Sequence, residues 1–88
     1  MEKKTVKAYK YYDKNGKWSI IVSDDEYSAM SMFLEDNNIS EEDITKTEEL
    51  EPYRKIRNVY TGKQTFISDA IRNIKFFPRC ILESDDFN

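Results

Sequence analysis

The chain has 88 residues, the length of one small domain, and its composition excludes several classes of active site. Histidine is absent and cysteine occurs once, which removes the commonest general acid/base and any zinc site built from several such ligands of this chain. The formal net charge of −3 argues against a strongly basic nucleic-acid-binding domain, and an aromatic content of 14% argues against disorder.

The beginning of the chain predicts a β-hairpin. Residues 5–12 combine β-branched and aromatic side chains in rough alternation, which is typical of a strand. Asn15 and Gly16 form a pair that tolerates positive φ at a hairpin turn, and a second strand from Trp18 to Val22 follows. Apolar side chains on both faces of this second strand predict that both sides of the sheet are covered.

A first helix is predicted directly after the hairpin. Ser23 and Glu26 have the spacing of a capping box, in which each side chain bonds the backbone N–H of the other residue. Apolar residues at helical spacing between Ala29 and Leu34 provide a stripe for burial. Asn37 and Asn38 are predicted to end the helix because asparagine accepts the left-handed conformation, and Ile39 can fold back onto the helix end.

The second half of the chain predicts two further strands, a second helix and a final strand. A short turn at residues 40–43 leads into the third strand, and residues 53–60 form the fourth. A capping residue followed by an amphipathic stripe predicts the second helix from Thr65 to Ile74. Residues 79–83 form the last strand, before a polar tail.

The predicted elements, in the order β-β-α-β-β-α-β, indicate an α+β fold. We expect a mainly antiparallel sheet of about four to five strands with both helices on one face, in a single domain that spans residues 1–88. No apolar run approaches the length of a membrane span, and the lysines near the N-terminus precede no apolar signal core. These features predict a cytoplasmic protein.

Charge is strongly segregated along the chain. Residues 24–51, called the acidic block below, carry eleven acidic residues against the single cation Lys46. Residues 1–17 and 52–82, by contrast, have an excess of lysine and arginine. The small net charge therefore conceals a chain that is predicted to fold with oppositely charged surfaces.

We interpret the acidic block as a candidate surface for a partner protein. Carboxylates projected from a helix and the segment after it can occupy the positions of phosphates in the basic groove of a nucleic-acid-binding protein. The simpler interpretation is that this is only the solvated outer face of a helix. The candidate partner-binding residues are Asp24, Asp25, Glu26, Glu35, Asp36, Glu41, Glu42, Asp43, Glu48, Glu49 and Glu51.

A basic and aromatic surface on the hairpin supports an alternative function, that of a small nucleic-acid-binding module. Tyrosine rings beside cations are stacking platforms for single-stranded nucleic acid. In the competing structural interpretation, the aromatic side chains are core residues and the lysines protect a sheet edge against aggregation. The candidate residues for this function are Lys7, Tyr9, Lys10, Tyr11, Arg54, Lys55 and Arg57.

Other chemistries find little support in the pattern. The acidic residues lie in hydrophilic runs, without the apolar pocket that perturbs a catalytic carboxylate. Residues 36–43 lack the alternating acids and central glycine of a calcium loop, and Cys80 lies in an apolar run that favours a packing role. We therefore predict no catalytic residue, no metal site and no cofactor.

Short length, the absence of histidine, many Tyr, Phe, Asp and Glu residues, and an acidic segment between strands characterise this chain. In these features it resembles the small acidic inhibitor proteins of phages and mobile elements, of the anti-CRISPR and anti-restriction kind. The resemblance implies a protein that acts without catalysis, in the host cytoplasm, by occupying a site on a host defence protein. The basic segment 52–82 exceeds what a pure nucleic-acid mimic needs, so a two-faced adaptor or a homodimer through opposite charged faces is also open.

Overall fold

The computed structural model describes residues 6–57, 61–72 and 74–87. These residues form an α+β fold, as predicted, with a four-stranded antiparallel sheet, a two-stranded antiparallel sheet and two α-helices. Short 3₁₀ turns follow α1 at Glu41–Asp43 and β6 at Ser84–Phe87. In chain order the main elements are β1 (Lys7–Asp13), β2 (Trp18–Ser23), α1 (Glu26–Asn37), β3 (Ile44–Leu50), β4 (Lys55–Arg57), β5 (Gln64–Phe66), α2 (Ile67–Arg72) and β6 (Arg79–Glu83).

The hairpin of β1 and β2 forms the centre of the larger sheet, whose strand order is β3-β1-β2-β6. Its turn is closed by the Asp13 carboxylate, which accepts hydrogen bonds from the backbone N–H groups of Asn15 at 2.8 Å and Lys17 at 2.9 Å. Gly16 occupies the left-handed region with φ of 83°, which glycine adopts at little cost. The predicted hairpin is therefore confirmed.

The two faces of the sheet carry separate hydrophobic clusters. Ala8 and Ile20 belong to the cluster on one face, which also includes Ile67 of α2. Tyr11 and Phe33 belong to the cluster on the other face, where α1 packs. Successive side chains of a strand point to opposite faces, so the apolar residues on both sides of the hairpin require a covering layer on each side.

The two helices consequently lie on opposite faces of the sheet, and the prediction that both pack on one face was wrong. Ile21 and Val22 are adjacent in β2 and both are completely buried, one in each cluster. Both are buried because α1 covers one face, whereas α2 and Ile56 of β4 cover the other.

The start of α1 also differs from the prediction. The N-cap is Asp25 rather than Ser23, and its carboxylate accepts hydrogen bonds from the N–H groups of Tyr27 and Ser28, each at 3.2 Å. The Ser23 hydroxyl instead accepts a bond from the Asp25 N–H at 3.1 Å. A carboxylate beside the first helical amides satisfies two unpaired donors and also suits the positive end of the helix dipole.

The segment before α2 forms a strand that the sequence did not predict. Phe66 pairs with Lys55 in the small β4–β5 sheet, and α2 begins only at Ile67. The Ile67 N–H donates to the Arg54 carbonyl at 2.9 Å, so tertiary contacts rather than a side-chain cap satisfy this donor.

The predicted third and last strands are confirmed, whereas residues 58–60 of the predicted fourth strand lie outside the described residues. Neither described helix is long and apolar enough to cross a membrane.

Candidate acidic interface

The acidic residues at the start of α1 have a structural role. Asp25 caps the helix, and Glu26 lies in the first turn, where the amide groups create a partial positive charge. The backbone carbonyl of Glu26 also accepts a hydrogen bond from the Tyr11 hydroxyl at 3.2 Å. These carboxylates stabilise the helix, and their presence is explained without a partner.

The end of α1 has the opposite electrostatics. Its last turn includes Glu35 and Asp36 and contains no basic residue, although the helix dipole makes this end negative. The chain then reverses at Asn38, whose φ is 52°, and the Ile39 N–H donates back to the Leu34 carbonyl at 3.1 Å. The left-handed asparagine and the returning Ile39 confirm the predicted helix terminator. Glu35 and Asp36 are therefore held at a helix end where their charge is unfavourable.

The 3₁₀ turn after α1 is fixed by a local hydrogen-bond network. The Asp43 carboxylate accepts bonds from the Ser40 N–H at 3.2 Å and from the Ser40 hydroxyl at 3.3 Å. It also forms an ion pair with Lys14 at 3.2 Å. The Ser40 bonds and Lys14 hold the pKa of Asp43 below its ordinary value. Asp43 is thus committed to the turn, while Glu41 and Glu42 remain exposed beside it.

The acidic residues of β3 are neutralised by neighbouring cations. Glu48 forms ion pairs with Lys46 at 2.9 Å and Arg54 at 3.6 Å. Glu49 pairs with Lys7 at 3.2 Å. Lys7 comes from the neighbouring strand β1 and Arg54 from the turn after β3, so the pairing depends on strand register and on that turn. The Glu48 and Glu49 carboxylates are accordingly poor candidates for phosphate mimics in a basic groove.

The structure therefore divides the eleven predicted partner-binding residues. Some cap helices or turns, some form ion pairs, and Asp24, Glu26 and Glu51 are exposed at other positions on the surface. Four remain exposed, form no ion pair with a described residue, and lie at one end of α1 and in the turn after it. We call this group the acidic end; its members are Glu35, Asp36, Glu41 and Glu42.

The alternative nucleic-acid site is not brought together by the fold. Tyr9 and Tyr11 are only 7% and 1% exposed, because they pack under α1. The Tyr11 ring stacks on Phe33, with ring centroids 5.5 Å apart. Lys10 alternates with these tyrosines along β1 and lies on the other face of the sheet, whereas Lys7 shares their face but is paired with Glu49. Buried rings are not available as stacking platforms for bases.

One predicted site residue, Lys10, lies in a small cluster of cations and rings on the opposite face of the sheet. The Lys10 ammonium lies 4.9 Å from the centroid of the Tyr12 ring and 4.3 Å from that of Trp18. Lys46 approaches Tyr12 from β3, at 5.6 Å. The spacing of two between Lys10 and Tyr12 is the sequence signal that places these side chains on one face.

The described residues include a concave feature, and they contain no metal-binding group. A groove of about 140 Å³ lies between β1, β3 and α2, with Ala8, Leu50, Ile67 and Ile71 among its lining residues. Among residues 6–57, 61–72 and 74–87, no set of three or more cysteine or carboxylate side chains is arranged to hold a metal ion.

Comparison of the chain with protein-family models, with curated proteins and with solved structures finds no match. Function is therefore inferred from the charges, contacts and exposure of its own residues.

Proposed function

We propose that this protein binds the basic groove of a nucleic-acid-handling protein and inhibits it without catalysis, by placing carboxylates where phosphates would lie. The acidic end carries this proposal. Its four carboxylates are exposed, and no described cation neutralises them. The two in the last turn of α1 oppose the helix dipole and so reduce stability, whereas carboxylates at the start of the helix add to it. A destabilising position is expected where charge serves binding.

The segment that carries the acidic end is held by packing and by hydrogen bonds, which favours binding. Phe33 is completely buried one turn before the end of α1, and the Asn37 side chain donates to the Phe33 carbonyl at 2.9 Å. The Ser40–Asp43 network fixes the following turn. A surface that is already ordered loses little conformational entropy when it binds, so more of the electrostatic interaction energy appears as affinity.

The basic residues of β4, β5 and α2 are separated from α1 by the sheet, so they do not neutralise the acidic end. Helix α1 contains three acidic residues and no basic residue. Residues 54–72, which provide β4, β5 and α2, contain five basic residues and the single acid Asp69. Because α1 and α2 cover different faces, this basic layer lies across the sheet from α1. The resulting field would steer the acidic end towards a basic groove and give fast, salt-sensitive association.

A host defence protein that binds nucleic acid is our proposed target. The resemblance of the chain to small inhibitors of phages and mobile elements, in length, composition and acidic segment, supports this choice. The nucleic-acid-binding alternative is less favoured because Tyr9 and Tyr11 are buried and Lys7 is paired with Glu49.

Matched charge reversals test the proposal. The variant E41K/E42K changes the acidic end, and E26K/E51K makes the same change in net charge at exposed positions elsewhere. Each tagged protein is used to capture partners from a host lysate at low and moderate salt, with and without nuclease. We expect wild type and E26K/E51K to retain a nuclease-resistant protein partner that E41K/E42K loses.

A second measurement examines the mechanism. The captured protein is purified, and its binding to nucleic acid is titrated with each variant. Competition by wild type and not by E41K/E42K would support occupation of the nucleic-acid groove. Equal capture by E41K/E42K and wild type would refute a role for the acidic end. Loss of every partner after nuclease treatment would instead indicate direct nucleic-acid binding.

A further inference from the structure

Strand β3 forms one edge of the larger sheet, and no other described strand pairs with its outer side. It is seven residues long and its central residues, Thr45 to Thr47, are exposed. An edge of this kind presents a row of backbone donors and acceptors that can accept another strand. The side chains along it determine which strand fits.

The direction of the backbone groups follows from two hydrogen bonds at the end of β1. The Asp13 N–H donates towards β2, to the Lys17 carbonyl at 2.9 Å. The next amide, that of Lys14, donates in the other direction, to the Asp43 carbonyl at 3.1 Å. Residues of an antiparallel strand alternate in this way, so the even-numbered residues of β1 bond towards β3.

The same alternation identifies the free groups of β3. Glu48 and Leu50 lie opposite even-numbered residues of β1 and bond inward. Thr47 precedes Glu48, and Glu49 lies between Glu48 and Leu50. Both residues therefore direct their backbone N–H and C=O groups outward, away from β1. Thr47 is the centre of the strand, and its outward groups could form a reciprocal pair of bonds with the same residue of another copy.

Charge on β3 is self-complementary about Thr47. In a continuous antiparallel sheet, two side chains directly opposite each other must point to the same face. A twofold axis between two identical strands therefore lies midway between the two copies of one residue. An axis at Thr47 places Lys46 opposite Glu48 of the second copy and Glu48 opposite its Lys46. Axes at Lys46 or Glu48 would place like charges opposite each other, which is unfavourable.

We propose that β3 is a homodimerisation edge, at which two copies pair antiparallel about Thr47 to form a continuous eight-stranded sheet. Two Lys46–Glu48 pairs across the axis select this register. Because each charge already has a partner on its own strand, the dimer extends an existing Lys46–Glu48 ion pair into an alternating network of four charges. This arrangement differs from association through the acidic and basic faces, because the two copies meet edge to edge.

If the acidic end binds a basic groove, as proposed above, the orientation of the two copies determines how the dimer presents its two acidic ends. The twofold axis is perpendicular to the sheet, so both α1 helices would lie on the same face. The start of β3 lies three residues from the axis, which separates the two starts by roughly 20 Å. The dimer would therefore present two acidic ends to one extended basic surface.

Charge reversal combined with mixing tests the dimer separately from target binding. Native mass spectrometry and analytical ultracentrifugation of the full chain are performed over a range of concentrations. We expect a concentration-dependent dimer of wild type, and an increase of about tenfold in the dissociation constant for K46E or E48K, since two attractive cross-strand pairs become repulsive. The swap K46E/E48K should restore dimerisation. An equimolar mixture of the two single variants should form heterodimers in preference to either homodimer.

Heterodimer formation in the mixture excludes a folding defect as the cause of weaker dimerisation, because two misfolded chains would not form a specific dimer. Circular dichroism shows whether each variant is folded. A wild type that is monomeric at every concentration overturns the proposal and leaves the edge to a strand from another protein. Dimerisation that all variants retain also overturns it, because the contact then lies elsewhere. Neither result depends on the acidic end, which is unchanged in these variants.

Discussion

Neutralising the acidic residues in the last turn of α1 should make the protein more stable. The variant E35Q/D36N removes two negative charges from the negative end of the helix dipole while keeping side-chain size nearly constant. A charge at a helix end contributes typically about 0.3–1 kcal/mol, and both residues are exposed, so we expect a combined gain of about 1 kcal/mol. For a domain of this size, that gain raises the melting temperature by roughly 4–8 °C.

The assay is urea and thermal unfolding, followed by circular dichroism at low and high salt. At low ionic strength the gain should be largest, and in about 1 M salt it should shrink because the screening length falls to about 3 Å. Glu26→Gln is the matched control, since it removes one negative charge from the positive end of the same helix. It lowers the net negative charge as well, yet it should reduce stability by about 0.3–1 kcal/mol.

Opposite signs for the two variants separate the dipole effect from a general reduction in net charge. The reasoning would be refuted if E35Q/D36N lowered stability, or if its effect were the same in low and high salt. Together with loss of the captured partner, increased stability of E35Q/D36N would show that binding and stability compete at this surface.

Three further predictions follow from individual residues. Phe33→Ala should reduce the free energy of unfolding by about 3–5 kcal/mol, because Phe33 is completely buried against Tyr11. Tyr27→Ala, on the exposed side of α1, is the control and should change the free energy of unfolding little. Urea unfolding measures both variants. The bonds from Ser40 lower the pKa of Asp43, so its contribution to stability is complete above the ordinary value of 3.8 and is lost as pH falls below it. Asp43→Asn should therefore lose less stability than wild type during acid titration from about pH 5 to about pH 2, and parallel curves would contradict this. Burial raises the pKa of the Cys80 thiol to about 11, so its reaction with a thiol reagent at neutral pH should be slow in the folded protein and fast in urea; equal rates would place the thiol at the surface.

Part of the candidate site could be predicted from the sequence. The acidic block is a local property of composition, and the end of α1 is marked by Asn38, so the position of Glu35 and Asp36 near a helix terminus was accessible. The ion pairs that neutralise other acidic residues could not be predicted from the sequence. Glu49 meets Lys7 because β3 pairs with β1, and Asp43 meets Lys14 across the end of the same pair of strands.

The burial of two tyrosines of the alternative site could not be predicted from the sequence for a similar reason. The sequence places Tyr9 and Tyr11 on one face of a strand through their spacing of two, but it does not say whether that face is covered. Packing of α1 over this face buries both rings, and Phe33 stacks on one of them. A pattern of alternating side chains is equally consistent with a core and with a binding surface until the neighbouring layer is known.

The sequence by itself determined the α+β class, the β1–β2 hairpin, the end of α1, the strand after the 3₁₀ turn and the segregation of charge. These depend on interactions within a few residues: alternation along strands, positive φ in turns and the chemistry of helix ends. Tertiary structure alone decided that the helices cover opposite faces, that Phe66 joins a strand, and which carboxylates are paired. Each of these depends on contacts between residues distant in sequence, and the burial of Ile21 and Val22 on opposite sides of one strand reflects the covering of both faces.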